Sequence, residues 1–138
     1  FLHWGHDISP EENQYEAGLS FAISYKKNNN FIGKDNLIKI KEKTKNRKLI
    51  MLTLKDSTVG QPLLLHEEPI YLENTIIGRT TSGNYSFNYK KNLSFGYINT
   101  KFSKEELLDK NLYIEVAKKK YIVKVQLKPL KDSSVKYF

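Results

Sequence analysis

Apolar and polar positions change their rhythm near residue 47. Up to residue 16 the chain is polar and irregular, with a turn signal at Ser9-Pro10-Glu11. Ala17, Leu19, Phe21, Ile23 and Tyr25 then fall on alternate positions, which predicts a half-buried strand. Lys26 to Asn30 predicts a loop, since consecutive Asn residues suit neither helix nor strand. Gly33 to Thr44 predicts a helix, with Asp35 in its first turn and a short apolar stripe of Leu37, Ile38 and Ile40 among lysines. The basic run Lys41 to Lys48 reads as a solvated helix end and linker, and the domain boundary is placed there, between residues 46 and 47.

Beyond it the pattern is all-β. Leu49 to Leu54 is almost continuously apolar, as expected of a strand buried on both faces. Residues 55–68 form a long loop. Ile70 to Leu72 and Thr75 to Arg79 flank Glu73-Asn74, a two-residue hairpin turn. Thr80 to Asn84 reads as polar turn. Leu93 to Ile98 predicts a strand. Ser103 caps a short helical turn with Glu106 at its third position. Leu112 to Ala117 and Tyr121 to Leu127 predict strands around a Lys118-Lys119-Lys120 tip, where lysines protect an exposed edge. The expected fold class is α+β, mostly β: the end of an α+β domain over residues 1–46, then a small six-stranded barrel or jelly roll over 47–138.

Composition changes this picture in two ways. The chain has 138 residues, no Cys and a net charge of +8, which excludes a disulfide framework and thiolate zinc sites. The charge comes from 21 Lys and only two Arg, Arg47 and Arg79, in an Asn- and Ile-rich background. A nucleic-acid site favours Arg, so a solvated lysine surface is the preferred reading and no nucleic-acid partner is expected. No apolar run approaches the roughly 20 residues of a membrane helix, and no signal peptide opens the chain. It begins at Phe1 rather than Met and is expected to be part of something longer.

Candidate chemistry is sparse. His3, His6 and Asp7 surround Trp4 but lack a third ligand set at a diagnostic spacing, so no metal is expected. Gly78 and Gly83 belong to no phosphate-binding loop. Glu16 lies just before Phe21. A carboxylate beside an aromatic can hold a heterocycle, or it can be a salt-bridged Glu beside a core Phe, and pattern alone favours the second.

The ordered set of short motifs adds more. Trp4-Gly5-His6-Asp7-Ile8-Ser9, Glu16-Ala17-Gly18-Leu19-Ser20-Phe21, Phe31-Ile32-Gly33-Lys34, Glu68-Pro69-Ile70, Ile77-Gly78-Arg79-Thr80-Thr81-Ser82-Gly83 and Leu93-Ser94-Phe95-Gly96-Tyr97-Ile98 together resemble the glycine-cleavage T-protein (aminomethyltransferase) superfamily. His3 to Asp7 and Leu64 to Ile70 look most like dimethylglycine or sarcosine dehydrogenase-like enzymes. The resemblance implies an FAD-dependent domain upstream and a tetrahydrofolate-binding region that this chain completes. A secondary or tertiary N-methyl amine is oxidised on the flavin, and the one-carbon unit passes to tetrahydrofolate. It implies a cytoplasmic, bacterial enzyme whose catalytic carboxylate lies upstream of Phe1.

Carried over residue by residue, the resemblance implies that Phe21 lines the folate pocket where relatives have Trp. Glu16 and Trp4 match family positions nearby, and Lys136 and Tyr137 lie in a tail that approaches folate. Gln14 stands where the family has Pro. The partners implied are the N-methyl amine, folate and the protein's own N-terminal domains. Two other readings stay open: a glycine-cleavage aminomethyltransferase fragment, and a basic nucleic-acid-binding module.

Overall fold

The computed structural model describes residues 2–26, 30–43, 46–127 and 130. Its centre is a closed barrel of six antiparallel strands: β1 (Arg47–Leu54), β2 (Pro69–Leu72), β3 (Thr75–Ser86), β4 (Lys91–Asn99), β5 (Leu112–Val116) and β6 (Lys119–Gln126). Around the barrel they run β1-β4-β3-β2-β5-β6, and β6 pairs back onto β1. Closure leaves no free sheet edge.

Alternation along each strand sends one set of side chains inward. Ile50, Leu52 and Leu54 of β1 meet Ile70 of β2, Ile98 of β4, Leu112 and Ile114 of β5, and Val123 and Val125 of β6. Leu64 and Leu107, from loops outside the strands, complete this interior. Leu107 sits on a 3-10 turn whose entry carries the expected capping box. The Ser103 N–H donates to Glu106 Oε2 at 2.7 Å, and the Glu106 N–H donates to Ser103 Oγ at 3.1 Å. The glycines at Gly78 and Gly96 serve close strand packing. A Cβ on Gly96 would lie 2.6 Å from the Arg79 carbonyl oxygen and 2.7 Å from the Ile70 side chain.

Helix α1 (Lys34–Lys43) matches the expected helix, with Thr44 outside the described residues. It stands apart from the barrel interior. Ile38 is 52% exposed, and Ile32 just before the helix is fully exposed.

Three expectations are corrected. Residues 17–25 form no strand but a run of turns with a 3-10 turn at Ser20–Ala22. Their backbone donors go to local carbonyls: Leu19 N–H to Gln14 at 2.8 Å, Ala22 N–H to Leu19 at 3.0 Å and Ile23 N–H to Ser20 at 3.1 Å. Gly18, at φ +74°, turns the chain where a strand would continue. The second correction is Thr80 to Asn84, which belong to β3 between β2 and β4. Ladder bonds from β4 override the low strand propensity of Gly83 and Asn84. The β5–β6 turn also falls at Ala117-Lys118, both with positive φ, so Lys119 and Lys120 already belong to β6. Part of the expected Lys26–Asn30 loop, residues 27–29, lies outside the described residues.

Candidate functional site: a polar clamp between the N-terminal segment and the barrel

The side chains with the most specific partners lie where residues 2–26 cross the outer face of β1, β3 and β4. Asp7 is the centre. It is 1% exposed, and its carboxylate accepts hydrogen bonds from Thr81 Oγ1 at 2.5 Å, Ser82 Oγ at 2.8 Å and the His3 N–H at 2.8 Å. Successive strand residues normally point to opposite faces. Here the β3–β4 register shifts between Thr80 and Ser82, and this bulge lets Thr81 and Ser82 reach the same oxygen. The Tyr97 hydroxyl donates to the Asp7 carbonyl at 3.0 Å.

Arg47 makes the second half of the clamp. Its guanidinium bridges Glu12 at 2.9 Å and Glu16 at 3.0 Å, and lies 4.3 Å from the centre of the Tyr97 ring. This is the fork geometry that Lys cannot supply. Burial works against the Glu12 charge, but hydrogen bonds from Ser9 and Arg47 prevail and hold its carboxyl below the usual range. Burial also opposes the Arg47 charge, and the bond to Glu12 with the nearby Glu16 carries its pKa above the ordinary value. Burial first, and then the Glu12 charge, push the Tyr97 phenol up to about 12, so it stays a neutral donor. A backbone bond closes the junction, with the Leu49 N–H donating to the Glu16 carbonyl at 2.7 Å. It brings Leu49, on the outer side of β1, to 6% exposure beside Ala17 at 5%. The apolar run in β1 is thus explained: the barrel covers one face and this segment covers much of the other.

The expected site residues separate into three groups. Glu16 lies in the clamp, 9% exposed and bonded to Arg47 and the Asn13 N–H. Trp4 and Phe21 are on the surface, 69% and 84% exposed, with no ring contact between them. Phe21 is therefore not a core strand residue. Lys136 and Tyr137 lie outside the described residues.

Sequence reasoning missed Asp7 as an anchor, and missed Arg47, Thr81, Ser82 and Tyr97 as its setting. The scarcity of Arg was the available signal, since one of two Arg residues in a Lys-rich chain holds two carboxylates. The three histidines also meet: His3 stacks on His6 at 4.6 Å and His6 lies 6.0 Å from His66. Among the described residues no group of three His, Cys, Asp or Glu side chains is placed to hold a metal ion. No helix among them is long and apolar enough to cross a membrane.

The profile of the glycine cleavage T-protein C-terminal barrel domain matches residues 47–132. The chain belongs to this family. It is 32% identical to rat (Rattus norvegicus) mitochondrial dimethylglycine dehydrogenase over 130 residues, covering 94% of this chain and 14% of that protein. It is 34% identical to an aminomethyltransferase of Listeria innocua over 126 residues, covering 91% of this chain and 33% of that protein. The fold matches the crystal structure of the glycine cleavage system aminomethyltransferase T from Bartonella henselae. That match has a TM-score of 0.76 at 18% identity and covers 96% of this chain and 36% of that one. The chain thus spans about a seventh to a third of the length of these relatives, which are named as enzymes.

Proposed function

We propose that this chain is the C-terminal part of an FAD-dependent enzyme oxidising dimethylglycine, sarcosine or a similar N-methyl amine, and that it walls the site where tetrahydrofolate receives the one-carbon unit. On this reading residues 1–46 complete a folate-binding domain and residues 47–138 are its barrel. The flavin and the amine site belong to segments upstream, and the protein works in a bacterial cytoplasm.

The observation that supports the reading is the clamp. Asp7, Glu12 and Glu16 fix a segment that buries little of its own apolar surface, while Trp4 and Phe21 on that segment remain open. Fixed, exposed aromatics suit one wall of a ligand site whose opposite wall comes from elsewhere. Tetrahydrofolate, when bound, supplies the acceptor for the one-carbon unit. Phe21 offers it an apolar stacking face and no donor. Arg47 orients the Glu16 carboxylate through a hydrogen bond of 3.0 Å. The resemblance implies a tail at Lys136 and Tyr137 near folate, where the Lys136 cation would pair with a glutamyl carboxylate. The fit is to one side of the ligand only.

The second reading, a glycine-cleavage aminomethyltransferase acting with a lipoyl carrier protein, is supported by the similarity to the Listeria innocua enzyme. Expression of the whole open reading frame separates the two. The proposal expects a GxGxxG strand–turn–helix upstream, a flavin-containing protein and flavin reduction on adding dimethylglycine or sarcosine. Transfer that requires a lipoyl carrier, with no flavin bound, would establish the second reading instead.

A further inference from the structure

The outer face of the barrel holds a cleft of about 490 Å³ on the side of β1 and β4. Leu19 of the N-terminal segment, Met51 of β1, Leu93 and Phe95 of β4 and Leu127 after β6 are among the apolar side chains of its wall. The volume lies within the roughly 300–1,000 Å³ typical of small-molecule pockets. Among the described residues the wall carries one cation, Lys104, and no acid.

Lys104 differs from the other cations set into this region. Arg47 has two carboxylates, and the Lys48 ammonium donates to the carbonyls of Thr100 at 3.1 Å and Phe102 at 2.6 Å. Lys104 is half-buried, yet among the described residues it has neither an ion pair nor a hydrogen-bond acceptor. Burial and then the nearby Lys48 charge lower its pKa, with Glu105 offsetting only part of this. A half-buried ammonium at an apolar cleft, with no counter-ion among the described residues, gains when an anion joins it.

We propose that this cleft binds an aliphatic monocarboxylate, with its chain against Met51, Leu93 and Phe95 and its carboxylate on Lys104. A single cation on an apolar wall matches one carboxylate on a hydrocarbon body. Among the described lining residues Lys104 is the one charged group, which leaves the second charge of a phosphate unmatched. The proposal is independent of the folate reading.

Met51 is the chain's single methionine, so selective ¹³C-methyl labelling places one NMR reporter in the cleft. Decanoate, kept below its micelle concentration, should shift the Met51 methyl signal saturably in the 138-residue chain, within which all six strands of the barrel close. Lys104→Gln should weaken decanoate about tenfold, the loss expected for one charge-assisted contact. It should leave decanol binding unchanged, and Lys104→Arg should keep decanoate binding. Absence of a saturable shift in the unsubstituted chain overturns the proposal. So does equal decanoate affinity in the unsubstituted chain and a Lys104→Gln variant whose remaining spectrum is native.

Discussion

The barrel and the N-terminal segment are held by opposite means. The barrel interior is a continuous apolar cluster from five of its strands and two loops, inside a closed hydrogen-bonded wall. In residues 2–26 Ala17 is the one buried apolar side chain, and Asp7 and Glu16 are the buried polar ones. Apolar burial is non-directional and scales with area, so it stabilises a volume without fixing one orientation. Charge-assisted hydrogen bonds are directional, and they fix how a small segment sits on a larger one. The barrel should therefore keep its fold when the segment is released, whereas the segment has no anchor without the barrel.

The sharpest break of that contrast is Leu52→Ala. Leu52 is fully buried, and its truncation should cost about 2–5 kcal/mol of global stability by chemical denaturation, because it leaves a cavity in the shared interior. Asp7→Ala should cost less, about 1–3 kcal/mol, by leaving Thr81, Ser82 and the His3 N–H without their acceptor. Its signature is local: limited proteolysis should cut faster within residues 2–26 while amide exchange in β1 and β4 stays slow. Equal loss of protection in both regions would erase the distinction between them.

Acid should act in the same order. The Glu12 carboxyl lies below its ordinary value of 4.5, so its contribution is complete above that pH and is lost as pH falls through the lower, folded value. Titration below pH 4.5 should release the segment, read by exchange at residues 9–16, before the barrel unfolds. Phe21→Ala should have the smallest effect on stability, within about 0.5 kcal/mol, because the ring is 84% exposed. If the proposed function holds, the same substitution in the full-length enzyme should weaken tetrahydrofolate more than it slows amine oxidation. A lowered melting temperature with equal loss of both would return Phe21 to a packing role.

What was legible beforehand had local causes. The Ser103–Glu106 box, the Glu73-Asn74 turn between β2 and β3, and the apolar run of β1 each rest on residues a few positions apart. The apparent strand at 17–25 shows the limit. Alternation predicts an extended segment only where a neighbouring strand accepts its hydrogen bonds, and here the donors found carbonyls three to five residues back. Thr80 to Asn84 fail in the other direction, since β4 draws a turn-like sequence into a ladder.

By itself the sequence determined a mostly β chain, the approximate places of its strands with only the first part of β3, a helix before them, and a resemblance to a family whose motifs run through both parts. The first three follow from side-chain periodicity and short-range hydrogen bonding, and the family from the resemblance of its ordered motifs. Only the tertiary structure decided which polar residues act together. Asp7 meets Ser82 across 75 positions, and Arg47 meets Glu12 across 35. No local pattern encodes such pairs, because each exists only once barrel closure and the β3 bulge bring distant oxygens and nitrogens within hydrogen-bond distance.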